Sequence, residues 1–175
     1  MQVILLTHER EATRATNTGN IALEYFPEFC QRIIWSRVAP SELLLAKLSE
    51  SGSALLFPKE LPNDEAEQGA ESGSICGNEL TRESHGDLVP PPLPKTLIIL
   101  DATWQEARKM LRQSPYLKTA KRFSLAETPK SQFSLRRNQI EGGLCTLECI
   151  IELFKQADMF DEAARLTKAF QDFCQ

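Results

Sequence analysis

The stretch TLIILDATWQEARKM, residues 96–110, holds the two periodicities that decide the fold. Thr96 to Leu100 is an apolar run of strand length ending in a carboxylate, and the residues behind it read as a helix opening with a hydroxyl and an indole. Asp101 therefore stands at the expected end of a buried strand, where α/β proteins gather ligands and chemistry. A purely local reading competes with this one, in which Asp101 caps the following helix. Trp104 favours the ligand reading, because it sets a large apolar platform with a single donor three residues from the carboxylate.

Outward from that stretch the pattern repeats. VILLT at 3–7, RIIWSRV at 32–38 and SALLFP at 53–58 read as further buried strands, the last stopped by Pro58. Between the first two, a polar loop runs into a short helix, and Asn17, Thr18 and Gly19 mark a tight turn in which glycine accepts positive φ. Residues 40–50 read as a helix with its cap signal at Pro40 and Ser41. The helix after Asp101 runs to about Gln113 and stops before Pro115. KRFSLA at 121–126 supplies a short strand, and the basic segment at 128–143 an irregular loop. LCTLECIIELFKQ at 144–156 has the spacing of a buried helix, and Asp161 to Phe173 that of an amphipathic one. Strands alternating with helices predict an α/β fold, a mostly parallel sheet with helices on both faces.

At 175 residues the chain suffices for one core. A hydrophobic content of 42% with 25% charged residues describes a soluble globular protein, without the apolar span that a membrane helix needs. With no secretory leader pattern, the expected location is cytoplasmic. The expected layout is a single domain over 1–175 with a flexible, acidic, Pro-rich insertion at about 63–94, where apolar periodicity collapses.

The charge is unevenly spread. Residues 60–94 hold eight acidic side chains against Arg82 alone, whereas residues 95–137 hold ten lysines and arginines against Asp101, Glu106 and Glu127. The basic block suggests a polyanionic partner. The alternative is that Arg108, Lys109 and Arg112 line the solvated side of a helix.

Several chemistries find no support. The five cysteines include no CxxC pair, and the two histidines, His8 and His85, cannot assemble a metal cluster, so no metal is expected. Cys145 and Cys149 share a helix face and read as buried thiols. Neither GxGxxG nor a P-loop pattern is present, and no serine or cysteine sits in an elbow motif. His8 follows a strand end, which suits a ligand contact and a structural hydrogen bond equally. What remains is Asp101, Trp104, the adjacent Arg136 and Arg137, and glycine turns at 17–19 and 142–143. This set suits group transfer onto a nucleic acid by positioning, with arginines for anions and a carboxylate for a proton.

Five ordered segments also carry a resemblance. TNTG at 16–19, LLFP at 55–58, LDATW at 100–104 with QEARKM behind it, FSLRR at 133–137 and LCTLE at 144–148 resemble, in order and approximate spacing, the DTW-domain proteins, the tRNA-uridine aminocarboxypropyltransferases. The likeness runs from about Val3 to the end of the 144–156 helix. It implies a fold related to the SPOUT methyltransferases, with a knot in the C-terminal half. It also implies transfer of the 3-amino-3-carboxypropyl group of S-adenosyl-L-methionine to N3 of a tRNA uridine, releasing methylthioadenosine. Carried over residue by residue, Asp101 is the catalytic carboxylate; Leu100, Thr103, Trp104, Leu144, Cys145 and Thr146 are the cofactor contacts. His8, Asn17, Thr18, Gly19, Arg136 and Arg137 are the candidates for substrate or phosphate. An RNA methyltransferase of SPOUT type and a non-catalytic RNA-binding relative are the rival readings, and the oligomeric state is left open. Two departures stand out. Many members carry a cysteine-rich zinc-binding segment before the first strand, whereas this sequence opens at MQVILLTH, so RNA contacts made by that segment are expected to be missing. The family's LCTxEA reads LCTLEC here, with Cys149 in place of alanine.

Overall fold

The computed structural model describes residues 1–57, 92–125, 131 and 143–174. The chain divides into two units, Met1–Lys59 with Leu93–Gln175, and Glu60–Pro92. All described elements belong to the first, and of the second only Pro92 is described. The sequence-predicted insertion at 63–94 thus lies outside the described residues apart from its last three.

The elements run β1 (Gln2–Thr7), α1 (Glu9–Ala12), α2 (Gly19–Tyr25), β2 (Cys30–Ile34), α3 (Glu42–Ser49), β3 (Ser53–Leu56), β4 (Thr96–Asp101), α4 (Trp104–Gln113), α5 (Pro115–Lys118), β5 (Arg122–Phe123), α6 (Thr146–Gln156) and α7 (Phe160–Phe173). The strands form one sheet in the order β2-β1-β4-β3-β5, and every pairing in it is parallel. A parallel sheet must be covered on both sides, which is why β1 and β4 are apolar almost throughout. Alternation then sorts their side chains into two layers. Val3, Leu5, Leu97 and Ile99 join Ala22 of α2 and Phe26 just after it, Leu147, Ile150 and Phe154 of α6, and Leu166 and Phe170 of α7. Ile4, Leu6, Leu55, Ile98 and Leu100 take the other face with the buried Leu44, Met110, Leu111 and Leu117 of α3 to α5.

Several boundaries move from their sequence-based expectation. The second strand is Cys30–Ile34 and not 32–38: the Trp35 N–H still bonds the Thr7 carbonyl at 2.9 Å, after which the chain bends away. The third ends at Leu56, the short strand after α5 shrinks to Arg122–Phe123, and Leu144 and Cys145 precede α6 instead of opening it. Two short helices are additional to the sequence-based expectation. His8 starts α1 by accepting the Arg10 N–H at its Nδ1, and Pro115 starts α5, since proline suits the first helical turn. Between α6 and α7, Asp158 takes φ 58°, the left-handed conformation common just after helix ends.

Among the described residues no helix is long and apolar enough to cross a membrane, and no group of His, Cys, Asp and Glu is placed to hold a metal ion.

Candidate active site around Asp101

The sheet order places a switch in chain direction beside Asp101. From β1 the chain proceeds to β2 on one side, while from β4 it proceeds past β3 to β5 on the other. Divergent connections open a crevice at the C-terminal ends of the two strands between which they part, here β1 and β4. Thr7 and Asp101, the last residues of these strands, are register partners.

Asp101 is fully buried. Its Oδ2 accepts hydrogen bonds from Thr7 Oγ1 and Asn17 Nδ2, both at 2.9 Å, and its Oδ1 accepts one from Thr146 Oγ1 at 2.8 Å. The Arg32 guanidinium, reaching across from β2, places Nη2 3.6 Å from Oδ2. Arg32 also donates from Nε to Thr7 Oγ1 at 3.1 Å and from Nη2 to Asn20 Oδ1 at 2.7 Å. A buried carboxylate is costly unless paired and hydrogen-bonded, and this one is both. Its partners come from β1, the turn before α2, β2 and the first residue of α6, so one charge ties four segments together.

The capping reading of Asp101 is thereby corrected. Thr103 is the residue that caps α4: its hydroxyl accepts the Glu106 N–H, while the Glu106 carboxylate takes the Thr103 N–H at 3.2 Å and its hydroxyl at 2.8 Å. For Glu106, burial works to raise the pKa. The hydrogen bonds from Thr103 and the charges of His8 and Arg14 outweigh it and hold the carboxyl below its usual range.

The 17–19 turn is present, but the reason for its glycine differs from expectation. Gly19 opens α2, and what it provides is closeness. A Cβ there would lie 2.9 Å from Asn17 Oδ1, 2.9 Å from Leu5 Cδ1 and 3.2 Å from Asp101 Oδ1. Asn17 turns the chain by accepting the Asn20 N–H at Oδ1 while its amide serves Asp101. Thr18 is buried and meets the start of α6, with the Leu147 N–H 3.4 Å from its hydroxyl.

Of the other expected contacts, Leu100 precedes Asp101 on β4 with its side chain on the opposite sheet face, and Trp104 stacks on Phe57 with ring centroids 5.5 Å apart and planes 10° from parallel. Leu144 is half-buried. The Cys145 thiol is pushed up to about 12 by burial, which removes it from nucleophilic roles near neutrality. Cys149 is likewise raised by burial and by its neighbours Cys145 and Glu148. His8 joins the site through its backbone, donating to the Asp101 carbonyl at 3.2 Å, while its ring stacks on Trp35. Arg136 and Arg137 lie outside the described residues, as do His85, Pro58 and Gly142.

The structure adds Thr7, Asn20 and Arg32, which the sequence pattern does not single out as site residues. Arg32 leaves only a faint signal, as the charge that opens the apolar RIIW run, and the T-x-x-E spacing of Thr103 and Glu106 is the pattern of a reciprocal helix cap. Thr7 leaves none, since a threonine closing a buried strand is unremarkable until its partner is known.

No solved structure matches the chain. A family model described as the DTW domain matches residues 1–175, an assignment consistent with an RNA-modifying enzyme. With its full length covered, and with the aspartate of its DATW segment at the centre of a buried hydrogen-bonded cluster at the strand ends, the chain belongs to the DTW domain family.

Proposed function

We propose that the protein is a tRNA-uridine aminocarboxypropyltransferase that moves the 3-amino-3-carboxypropyl group of S-adenosyl-L-methionine to uridine N3. The observation that supports this reading is the joining, through Asp101, of the 17–19 turn to the start of α6. Those segments carry two of the motifs on which the resemblance rests, and they meet at the switch point where α/β sheets bind cofactors. Kinship with the SPOUT fold, a knot in the C-terminal half and a cytoplasmic location belong to the same reading.

This reading gives the cofactor to residues on either side of the Asp101 cluster: Thr146, whose hydroxyl donates to Asp101, with the half-buried Leu144 before it, and the half-buried Trp104 that follows Asp101. When bound, S-adenosyl-L-methionine supplies a methylene carbon activated by the adjacent sulfonium. In the transfer the N3–C bond forms as the C–S bond breaks, the bond pair goes to sulfur, and the N3 proton is lost. The chain's task is orientation and proton management. Asp101 holds the turn and the helix start in register through Asn17 and Thr146, and it is the carboxylate nearest the strand ends to receive the proton. Accepting it directly requires one of its three donors to give way, because the carboxylate is sealed by them. Thr103 and Trp104 fix the entry of α4 beside it, and Arg136 and Arg137 are assigned to anions, the cofactor carboxylate or tRNA phosphates.

Purified protein incubated with tRNA and S-adenosyl-L-methionine, labelled separately in the methyl and carboxyl carbons, tests the proposal. Carboxyl-carbon label should enter RNA with release of methylthioadenosine. Methyl label in RNA without the carboxyl carbon would make the protein a methyltransferase, and binding without turnover a non-catalytic relative.

A further inference from the structure

α4 begins just beyond Asp101 and its own cap, Thr103, and it is two-sided. Ala107, Met110 and Leu111 are buried, whereas Gln105, Lys109 and Arg112, spaced i, i+4 and i+7, form an exposed stripe. Its C-terminal end is fastened to the bend after β2, where Trp35 Nε1 donates to Ser114 Oγ at 2.9 Å and Tyr116 OH to the Ser36 carbonyl at 2.6 Å. That bend carries the exposed Arg37. Its N-terminal end neighbours α1, because the charges of His8 and Arg14 act on Glu106, and Arg10 is exposed on α1. Exposed cations therefore stand on α4 and on the segments that meet its two ends; the helix has ten residues, a length of roughly 15 Å at 1.5 Å per residue.

These cations are also uncommitted. The described pairs Arg14–Glu11, Lys47–Glu50 and Lys155–Glu152 satisfy other basic residues, and Arg32 is held at Asp101. The side chains of Arg10, Arg37, Lys109 and Arg112 have no such partner among the described residues. A helix face that was only solvated would gain from i, i+4 acids beside its bases, and α4 offers one acid, Glu106, already engaged by Thr103. Four exposed cations without a described partner, two on the stripe of α4 and one on each of the segments that meet its ends, match a string of phosphates better than a single small anion.

We propose that this edge, formed by Arg37, Lys109 and Arg112 with Arg10 at its crevice end, is the surface on which the tRNA phosphate backbone lies while a uridine reaches the Asp101 crevice. The proposal rests on the reading of the protein as a tRNA modifier and adds where the RNA is held. The contacts are to phosphate oxygens, so they position the RNA and carry no base specificity.

The test uses the full chain and unfractionated tRNA, with affinity measured across a salt series. The combined Arg37→Gln, Lys109→Gln and Arg112→Gln variant is compared with Lys47→Gln, Lys155→Gln and Lys168→Gln, which removes equal charge elsewhere. The first should bind tRNA roughly tenfold or more weakly at low salt, with a salt slope shallower by about 0.9 per lost duplex contact. Affinity for S-adenosyl-L-methionine and the melting temperature should be unchanged, and the second variant should behave as wild type. A wild-type slope in the first variant, or equal losses in both, overturns the proposal while leaving the transferase reading intact. Wild-type protein that neither binds tRNA nor transfers to it overturns both. Should the combined variant fold poorly, Arg112→Glu alone, a single exposed change, decides the matter by the same comparison of tRNA affinity and salt slope.

Discussion

At the scale of residues, Asp101 is both the candidate for chemistry and a fastening point, and the two roles have different signatures. Asp101→Asn puts an amide nitrogen in place of one accepting oxygen: on the Oδ2 side it faces the Asn17 amide and Arg32, on the Oδ1 side the Thr146 hydroxyl must turn to accept it, and either way Arg32 loses its charged partner. Breaking a buried ion pair in this way costs about 3 kcal/mol. The expected result is a lower melting temperature together with a turnover loss of roughly 10²-fold or more. Thr146→Val removes a single donor, costs about 1 kcal/mol and leaves the charge in place. If Asp101 takes the proton, Thr146→Val keeps most of the turnover at saturating cofactor. Matching losses in the two variants would assign Asp101 to positioning. Gly19→Ala tests the close approach from the other side. Helix propensity offers a gain of up to about 1 kcal/mol, but contacts of 2.9 Å with Asn17 and Leu5 demand movement of buried groups. Overpacking of that kind costs about 1–3 kcal/mol, so the variant should melt lower than wild type.

At the scale of elements, the start of α4 depends on a reciprocal cap that also sets a pH dependence. Thr103→Ala should cost about 1 kcal/mol, read from denaturant midpoints. Glu106 has its carboxyl lowered in the folded protein, so its contribution is fully present above its ordinary value of 4.5 and is lost as pH falls through the lowered one. Against Glu106→Gln, the wild type should therefore hold a stability advantage at neutral pH that shrinks as the pH falls below 4.5 and through the lowered value. An advantage that stayed constant across that range would mean that the charge contributes nothing. The helix thus begins with two side chains bound to each other, and this fixes where Trp104 meets Phe57.

At the scale of the whole molecule, β3 and β4 are parallel neighbours, so the chain leaving Leu56 must return along the sheet before Thr96. Such a crossover needs roughly a dozen residues. Replacing 65–90 by a short Gly/Ser linker keeps enough chain for it, and the acidic, proline-rich composition removed has little to offer a core or a phosphate. The variant is expected to fold and to transfer. A well-folded variant without turnover, alongside strong hydrogen-exchange protection of 65–90 in the intact protein, would make this segment part of the active site. By itself the sequence determined the fold class: apolar runs of strand length separated by helical spacings leave a parallel sheet covered on two faces as the solution that buries them. It also placed Asp101 at a strand end, since a carboxylate closing TLIIL has nowhere else to lie, and it marked the 16–19 and 144–148 segments. Only the tertiary structure decided the strand order β2-β1-β4-β3-β5, and with it the partners of that carboxylate. Thr7 and Asp101 are 94 residues apart in sequence, and Arg32 stands on a strand that, among the described residues, pairs with β1 alone. Local periodicity says which face a residue takes but not which strand lies next to it, because pairing is chosen by the packing of both helical layers at once.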